Sequence, residues 1–267
     1  MKAARVYAIV LRQVWLIRGS LARFFPLFVW AAIDIVLWGF ISRYLNAFAA
    51  AGLNFIPVFL GAVLLWDFLI RVMQGVTMAF FEDVWSRNFL NLFATPLSVS
   101  EYVAGLVLSS VGTSSIGLAV MLLLATTVFG LSFAAYGWML VPFLLLLFVF
   151  GITLGVFACA LVLRLGPAAE WFVWPIPAVL SPLAGVFYPV ATLPDWMQLA
   201  AYALPPAYVF EGLRAVVGGG GVPLDSVLRG GALTLIYLLL ACALFVRTYR
   251  LTVRTGLLAR YTAESVS

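Results

Sequence analysis

The sequence predicts an all-α integral membrane protein with six transmembrane helices. Three observations lead there. Of its 267 residues, 65% are hydrophobic and 9% are charged, with a mean hydropathy of +1.15. Soluble domains run near 45–50% apolar and about 25% charged, so a water-soluble globule of this size has nowhere to hide the surplus, and disorder needs the opposite composition. The apolar residues also fall in continuous runs, without the alternation of an outer-membrane barrel. Helices satisfy their own backbone groups in lipid, so the runs read as helices.

Taken in order, residues 1–23 come first. Val6, Val10, Val14, Ile17 and Leu21 form one apolar stripe at helical spacing, and Arg5, Arg12 and Arg23 fall opposite. This predicts an amphipathic helix in the cytoplasmic interface. The stripe suits a lipid anchor and equally a helix that touches a partner. The arginines are too dispersed, and a compact apolar core with a cleavage site is missing, so the segment does not read as a cleavable signal.

Residues 24–267 form the six-span domain. The predicted spans are 24–41, 55–81, 102–128, 138–163, 171–190 and 230–246, set against the roughly 20 apolar residues a spanning helix needs. The second to fourth are long enough to tilt. The last is short and borrows a turn from 227–229. Pro175, Pro177 and Pro182 interrupt the fifth and predict a kinked helix. Trp30, Trp38, Trp66, Trp171 and Trp174 lie within or beside spans as interface anchors or packing.

Six spans put both termini on one side. That side collects eleven of the fifteen basic residues, the opposite side holds Arg43, Arg214 and Arg229, and Arg71 lies within a span. The excess predicts cytoplasmic termini; the membrane itself is expected to be a bacterial inner membrane.

Ionisable residues inside spans point to function. Asp34 is mid-way along the first span, and Asp67 and Arg71 are spaced i,i+4 in the second. On the residues alone, they form either a neutralised structural cluster or the lining of a polar pathway.

Two loops are informative. The cytoplasmic loop 82–101 carries Trp85, Phe89, Leu92 and Phe93 at helical spacing, with Arg87, Asn88 and Asn91 between them, and Thr95-Pro96 ending the turn. A short half-apolar helix follows from this, resting on lipid or docking to protein. Ser98 or Ser100 then caps the third span, with Glu101 favourable at its start. In the external segment 191–221, two apolar stretches too short to span, 197–204 and 207–217, are separated by Pro205-Pro206. This predicts two re-entrant half-helices packed against protein, with Glu211 and Arg214 neutralising each other at i,i+3.

The composition excludes much chemistry. The chain has no histidine, and its two cysteines, Cys159 and Cys242, sit inside apolar runs. We therefore expect no catalytic residues, no metal site and no disulfide framework. A membrane enzyme such as a lipid transferase is disfavoured on the same grounds. Membrane lipid is an expected partner and nucleic acid is not.

The stretch Asn91–Gly105 (NLFATPLSVSEYVAG) and the block Tyr188-Pro189, Leu193-Pro194, Pro205, Tyr208, Glu211 and Arg214 carry a resemblance. With the N-terminal helix and the span count, they resemble the membrane subunits of type-2 ATP-binding-cassette (ABC) exporters over essentially the whole chain. The external loops are short beside those members with a large extracellular domain.

The resemblance implies several roles. Glu82, Asp83, Trp85, Arg87, Asn88, Phe89, Leu92, Phe93, Thr95 and Pro96 would couple to a separate nucleotide-binding subunit. Tyr188, Pro189, Leu193, Pro194, Pro205, Tyr208, Glu211 and Arg214 would close the external gate. Two copies of the chain would pair above two ATPase subunits, and an amphipathic molecule (drug-like, lipid or lipid-linked glycan) would be exported. ATP and magnesium would sit on the partner. In agreement, the sequence has no G-x-x-x-x-G-K-[ST] phosphate loop. The alternative is an ion-coupled carrier or channel without an ATPase. The mid-span charges suit it, but no internal repeat relates the two halves.

Overall fold

A computed structural model of the chain describes residues 2–48, 56–86, 88, 91–92, 95–221 and 224–255. Among them the regular structure is entirely helical. Helix α1 (Ala3–Arg18) ends at Gly19 and leads through a single turn, α2 (Leu21–Phe24), into α3 (Pro26–Phe48). Helix α4 (Gly61–Trp85) follows a π-helical turn, and α5 (Val99–Thr127) follows the loop after it. A short 3₁₀ segment precedes α6 (Leu140–Leu165). The short pieces α7 (Glu170–Val173), α8 (Ile176–Leu183), α9 (Asp195–Tyr202) and α10 (Pro205–Val217) lead to the long α11 (Leu224–Arg254).

Among the described residues, five helical stretches are long and apolar enough to cross a membrane: Leu21–Phe48, Ile56–Trp85, Val99–Thr127, Phe133–Leu165 and Leu224–Arg254. The expected fifth span, 171–190, is not among them. Trp174-Pro175 separates α7 from α8, Pro182 lies inside α8, and a left-handed Gly185 (φ +59°) turns the chain away. Proline removes a helical donor and clashes with the preceding turn, so three of them in eight residues leave only fragments.

Helices α4 and α6 form the centre: 67% of each apolar window is buried, against 17% for the windows containing α3 and α11. Small residues bring the central helices together. The Ser110 hydroxyl on α5 donates to the Val72 carbonyl at 2.8 Å, and a Cβ at Gly75 would stand 2.6 Å from that hydroxyl. On the other side, a Cβ at Gly155 would meet Val76 at 2.7 Å. Without a hydrophobic drive between helices in lipid, such close contact is what holds them.

The two ends of the bundle are tied differently. At one end α1 lies across the start of α5 and the end of α4, through Arg5–Glu101 and Arg12–Asp83. At the other, Arg43 donates to the Val128 carbonyl at 2.9 Å, and the Tyr136 hydroxyl donates to the Pro57 carbonyl.

Candidate functional site

The face of α1 that packs inward differs from the predicted stripe. Val6, Ile9 and Gln13 are buried, whereas Val14 and Leu21 are exposed. Arg12, expected on the opposite face, is directed at protein. Its guanidinium makes a two-pronged contact with Asp83, 2.8 Å at each prong. The Tyr102 hydroxyl donates to the same carboxylate at 2.7 Å. Burial works against the Arg12 charge, but the Asp83 hydrogen bond and negative charge outweigh it, and its pKa sits above the ordinary value. Gln13 fits with its amide nitrogen donating to Glu82 at 3.0 Å and its oxygen accepting from Arg12. Arg23 closes the row on Glu82 at 3.0 Å.

The start of α5 completes this clamp. Ser98 and Glu101 form a reciprocal capping box. The Glu101 carboxylate also accepts from the Lys2 backbone N–H at 2.6 Å and pairs with Arg5 at 3.3 Å. Four residues on, Gly105 leaves room for Ile9; a Cβ there would stand 2.6 Å from it.

The predicted coupling residues therefore divide. Glu82 is half-buried and Asp83 buried, both turned toward the α1–α2 segment. Trp85 is exposed, and its indole N–H donates to Glu170 at 2.8 Å. Asn88 accepts from Asn91, Leu92 packs on the core, and Thr95 and Pro96 are exposed. Arg87, Phe89 and Phe93 lie outside the described residues.

The three intramembrane charges come together. Arg71 Nε donates to Asp67 at 2.6 Å, and its Nη2 lies 4.0 Å from Asp34. Gly117 on α5 clears the space Arg71 occupies, since a Cβ there would stand 2.7 Å from Arg71 Cδ. This cluster lies on the wall of a cavity of about 640 Å³ between α3, α4 and α5, a volume typical of small-molecule sites. Gln13, Arg23 and Glu82 line its end nearest α1.

At the other end, the YP…LP…E..R block forms one hydrogen-bonded unit. Glu211 on α10 accepts from the Val190 N–H at 2.6 Å and from Arg214 at 2.9 Å. Arg214 reaches on to the Val186 carbonyl at 3.4 Å. The Tyr188 hydroxyl donates to the Pro182 carbonyl at 2.8 Å, and that of Tyr208 to the Tyr202 carbonyl at 2.9 Å. Pro189 precedes a 3₁₀ turn, and the half-buried Leu193 packs on Val190, Ala201 and Ala207. Pro194 and Pro205 start α9 and α10, where a missing N–H costs nothing.

A family model described as ABC-2 type transporter matches residues 6–217. The chain belongs to the ABC-2 type transporter family. No curated protein sequence matches it. The matched residues run from within α1 through α10, so they include the Arg12–Asp83 part of the clamp, the cavity and the Glu211–Arg214 unit, while Lys2 and Arg5 lie just before them. As an ABC-2 membrane domain, the chain is the permease component of an ABC transporter, and membership implies an ATP-binding partner subunit.

Several residues of this ABC-2 permease site escape a reading of the sequence. Gln13, Tyr102 and Glu170 gain their roles from partners 69, 19 and 85 residues away, respectively. Gly105 and Gly117 stand in apolar runs, where a glycine signals close approach without naming its neighbour.

Proposed function

We propose that the chain is the permease subunit of an ATP-driven exporter that works as a homodimer with two nucleotide-binding subunits. The observation that carries this is the polar cavity beside Asp34, Asp67 and Arg71, which is joined to the α1 clamp through Glu82 and Arg23. A path through lipid needs such a water-compatible lining. Movement at the clamp is transmitted to the cavity because the same helix, α4, carries Arg71 and Asp83.

In this scheme the chain crosses a bacterial cytoplasmic membrane six times, with α7–α8 as the broken fifth crossing and both termini inside. One end of that segment is bonded through Glu170 to Trp85, and its far end leads to Val190 on Glu211, which supports a full traverse. Loop 82–96 docks the ATPase. Trp85, with the sequence-predicted Arg87, Phe89 and Phe93, meets the partner, while Glu82 and Asp83 anchor that loop from within. Helices α9 and α10 are the re-entrant pair that closes the exit. ATP and magnesium stay on the partner; this chain contributes rigid-body coupling between inward- and outward-facing states. The cargo is amphipathic.

The test is reconstitution in liposomes with the ATP-binding subunit. We expect ATP-dependent movement of a fluorescent amphiphile, and expect Arg87→Glu to reduce recovery of the ATPase on the permease while membrane insertion is unchanged. Uphill pumping by the chain alone, or a terminus accessible from outside the cell, would overturn the scheme.

A further inference from the structure

The charges around the cavity do not balance. Asp34, Asp67 and Glu82 face it with Arg71 and Arg23, three acids against two bases. Two pairs are closed: Arg71 on Asp67 at 2.6 Å and Arg23 on Glu82 at 3.0 Å. Asp34 remains at the 4.0 Å fringe of Arg71, and its side chain is 40% exposed where those of Asp67 and Arg71 are 13% and 11%. Asp34 is therefore the most accessible acid of the cluster, on its open side.

One helical turn before it, at i−4, Trp30 lines the same cavity and is 60% exposed. An indole face and a carboxylate on one wall attract the same kind of group, a poorly hydrated positive charge. The remaining wall is mixed: Leu27, Ile70, Met78 and Trp174 form an apolar stretch, and Gln74, Ser109, Thr113 and Ser114 add uncharged polar groups. The apolar stretch suits a hydrophobic body.

We propose that this cavity binds an amphipathic organic cation, its charged group held between Asp34 and Trp30 and its apolar body against Ile70, Met78 and Trp174. The Asp67–Arg71 pair fixes the geometry behind the site and is not itself released. The proposal rests on the cavity being the substrate site of the permease, and narrows that substrate to cations.

The experiment is equilibrium binding of tetraphenylphosphonium to the purified full-length chain in discs of zwitterionic lipid, with triphenylphosphine oxide as the neutral comparator. We expect saturable binding of the cation, weakened about tenfold by Asp34→Asn and several-fold by Trp30→Leu, with Trp30→Phe in between and the neutral compound indifferent to Asp34→Asn. Trp30 is exposed, so the tryptophan series reports even where the aspartate variant folds poorly. Cation binding unaffected by the Trp30 variants and by Asp34→Asn, or equal preference for the neutral compound, would overturn the proposal. The assay contains no ATPase, so such a failure leaves the exporter scheme standing. Cation binding without ATP-dependent transport in the complete complex would sink the exporter scheme and leave the site.

Discussion

Arg12 and Asp83 are joined at both prongs of the guanidinium, 2.8 Å each, across 71 residues of sequence. The Asp83 side chain is only 4% exposed. Removing one member of a buried pair leaves the other charge without a partner, which costs about 3–5 kcal/mol. Arg12→Ala is therefore expected to lower the thermal stability of the purified chain sharply. Tyr102→Phe deletes one hydrogen bond to the same carboxylate and is expected to cost about 1–3 kcal/mol. The double variant Arg12→Ala with Asp83→Ala should lose less than the two singles summed. Thermal unfolding of all four proteins decides it; strict additivity would show that the two residues act independently.

Gly105 tests the seat of α1. A methyl group there meets Ile9 at 2.6 Å, too close to be absorbed without movement. Gly105→Ala is expected to destabilise the docked helix by about 1–3 kcal/mol and to raise proteolysis within residues 2–20. Adding Ile9→Ala should restore protection. No rescue by the second change would mean that α1 is not seated on Gly105.

Gly117 makes the equivalent test at the charge cluster. Gly117→Ala places a methyl 2.7 Å from Arg71 Cδ and displaces the side chain from Asp67. We expect transport to fall while expression is retained. Asp67→Asn alone should harm transport more than Asp67→Asn combined with Arg71→Gln, because the single change strands a cation in the span. Equal transport in the single and double variants would remove the pairing argument.

The Glu211 carboxylate accepts from Val190 and from Arg214 at once. Glu211→Gln keeps an oxygen for the Val190 N–H but loses the charge that holds Arg214. Arg214→Lys loses the planar reach to the Val186 carbonyl. Each is expected to loosen the turn around Gly185, increasing modification of a cysteine placed at the exposed Thr192. Unchanged modification rates would place the rigidity of this turn elsewhere.

Much of the fold is legible in the sequence because lipid imposes a simple rule on length and hydropathy. Five of the expected spans fall in helical stretches long enough to cross a membrane, and the prolines at 175, 177 and 182 break the remaining segment as their chemistry requires. Ser98 and Ser100 both offer a cap to α5, and the structure uses Ser98, in a reciprocal box with Glu101. The site is less legible where partners are remote. The predicted apolar stripe includes Val14 on α1 and Leu21 on α2, yet both are exposed, because α1 docks by Val6, Ile9 and Gln13 together with its arginines. Glu82 and Asp83 look like loop charges open to a partner, and nothing near them in sequence reveals that Arg23 and Arg12 already occupy them. By contrast, Asp67–Arg71 and Glu211–Arg214 are short-range pairs, and helical geometry makes both readable in advance.

The seat of α1 has a consequence for biogenesis. Lys2 and Arg5 bind Glu101 across 99 and 96 residues, so the partner does not exist when the ribosome releases them. Helix α1 is synthesised well before Glu101 and must wait for it until two later membrane segments have been threaded. Its arrival then marks the completion of this half of the bundle, and a bulky tag fused before Lys2 would interfere at that late step rather than at insertion.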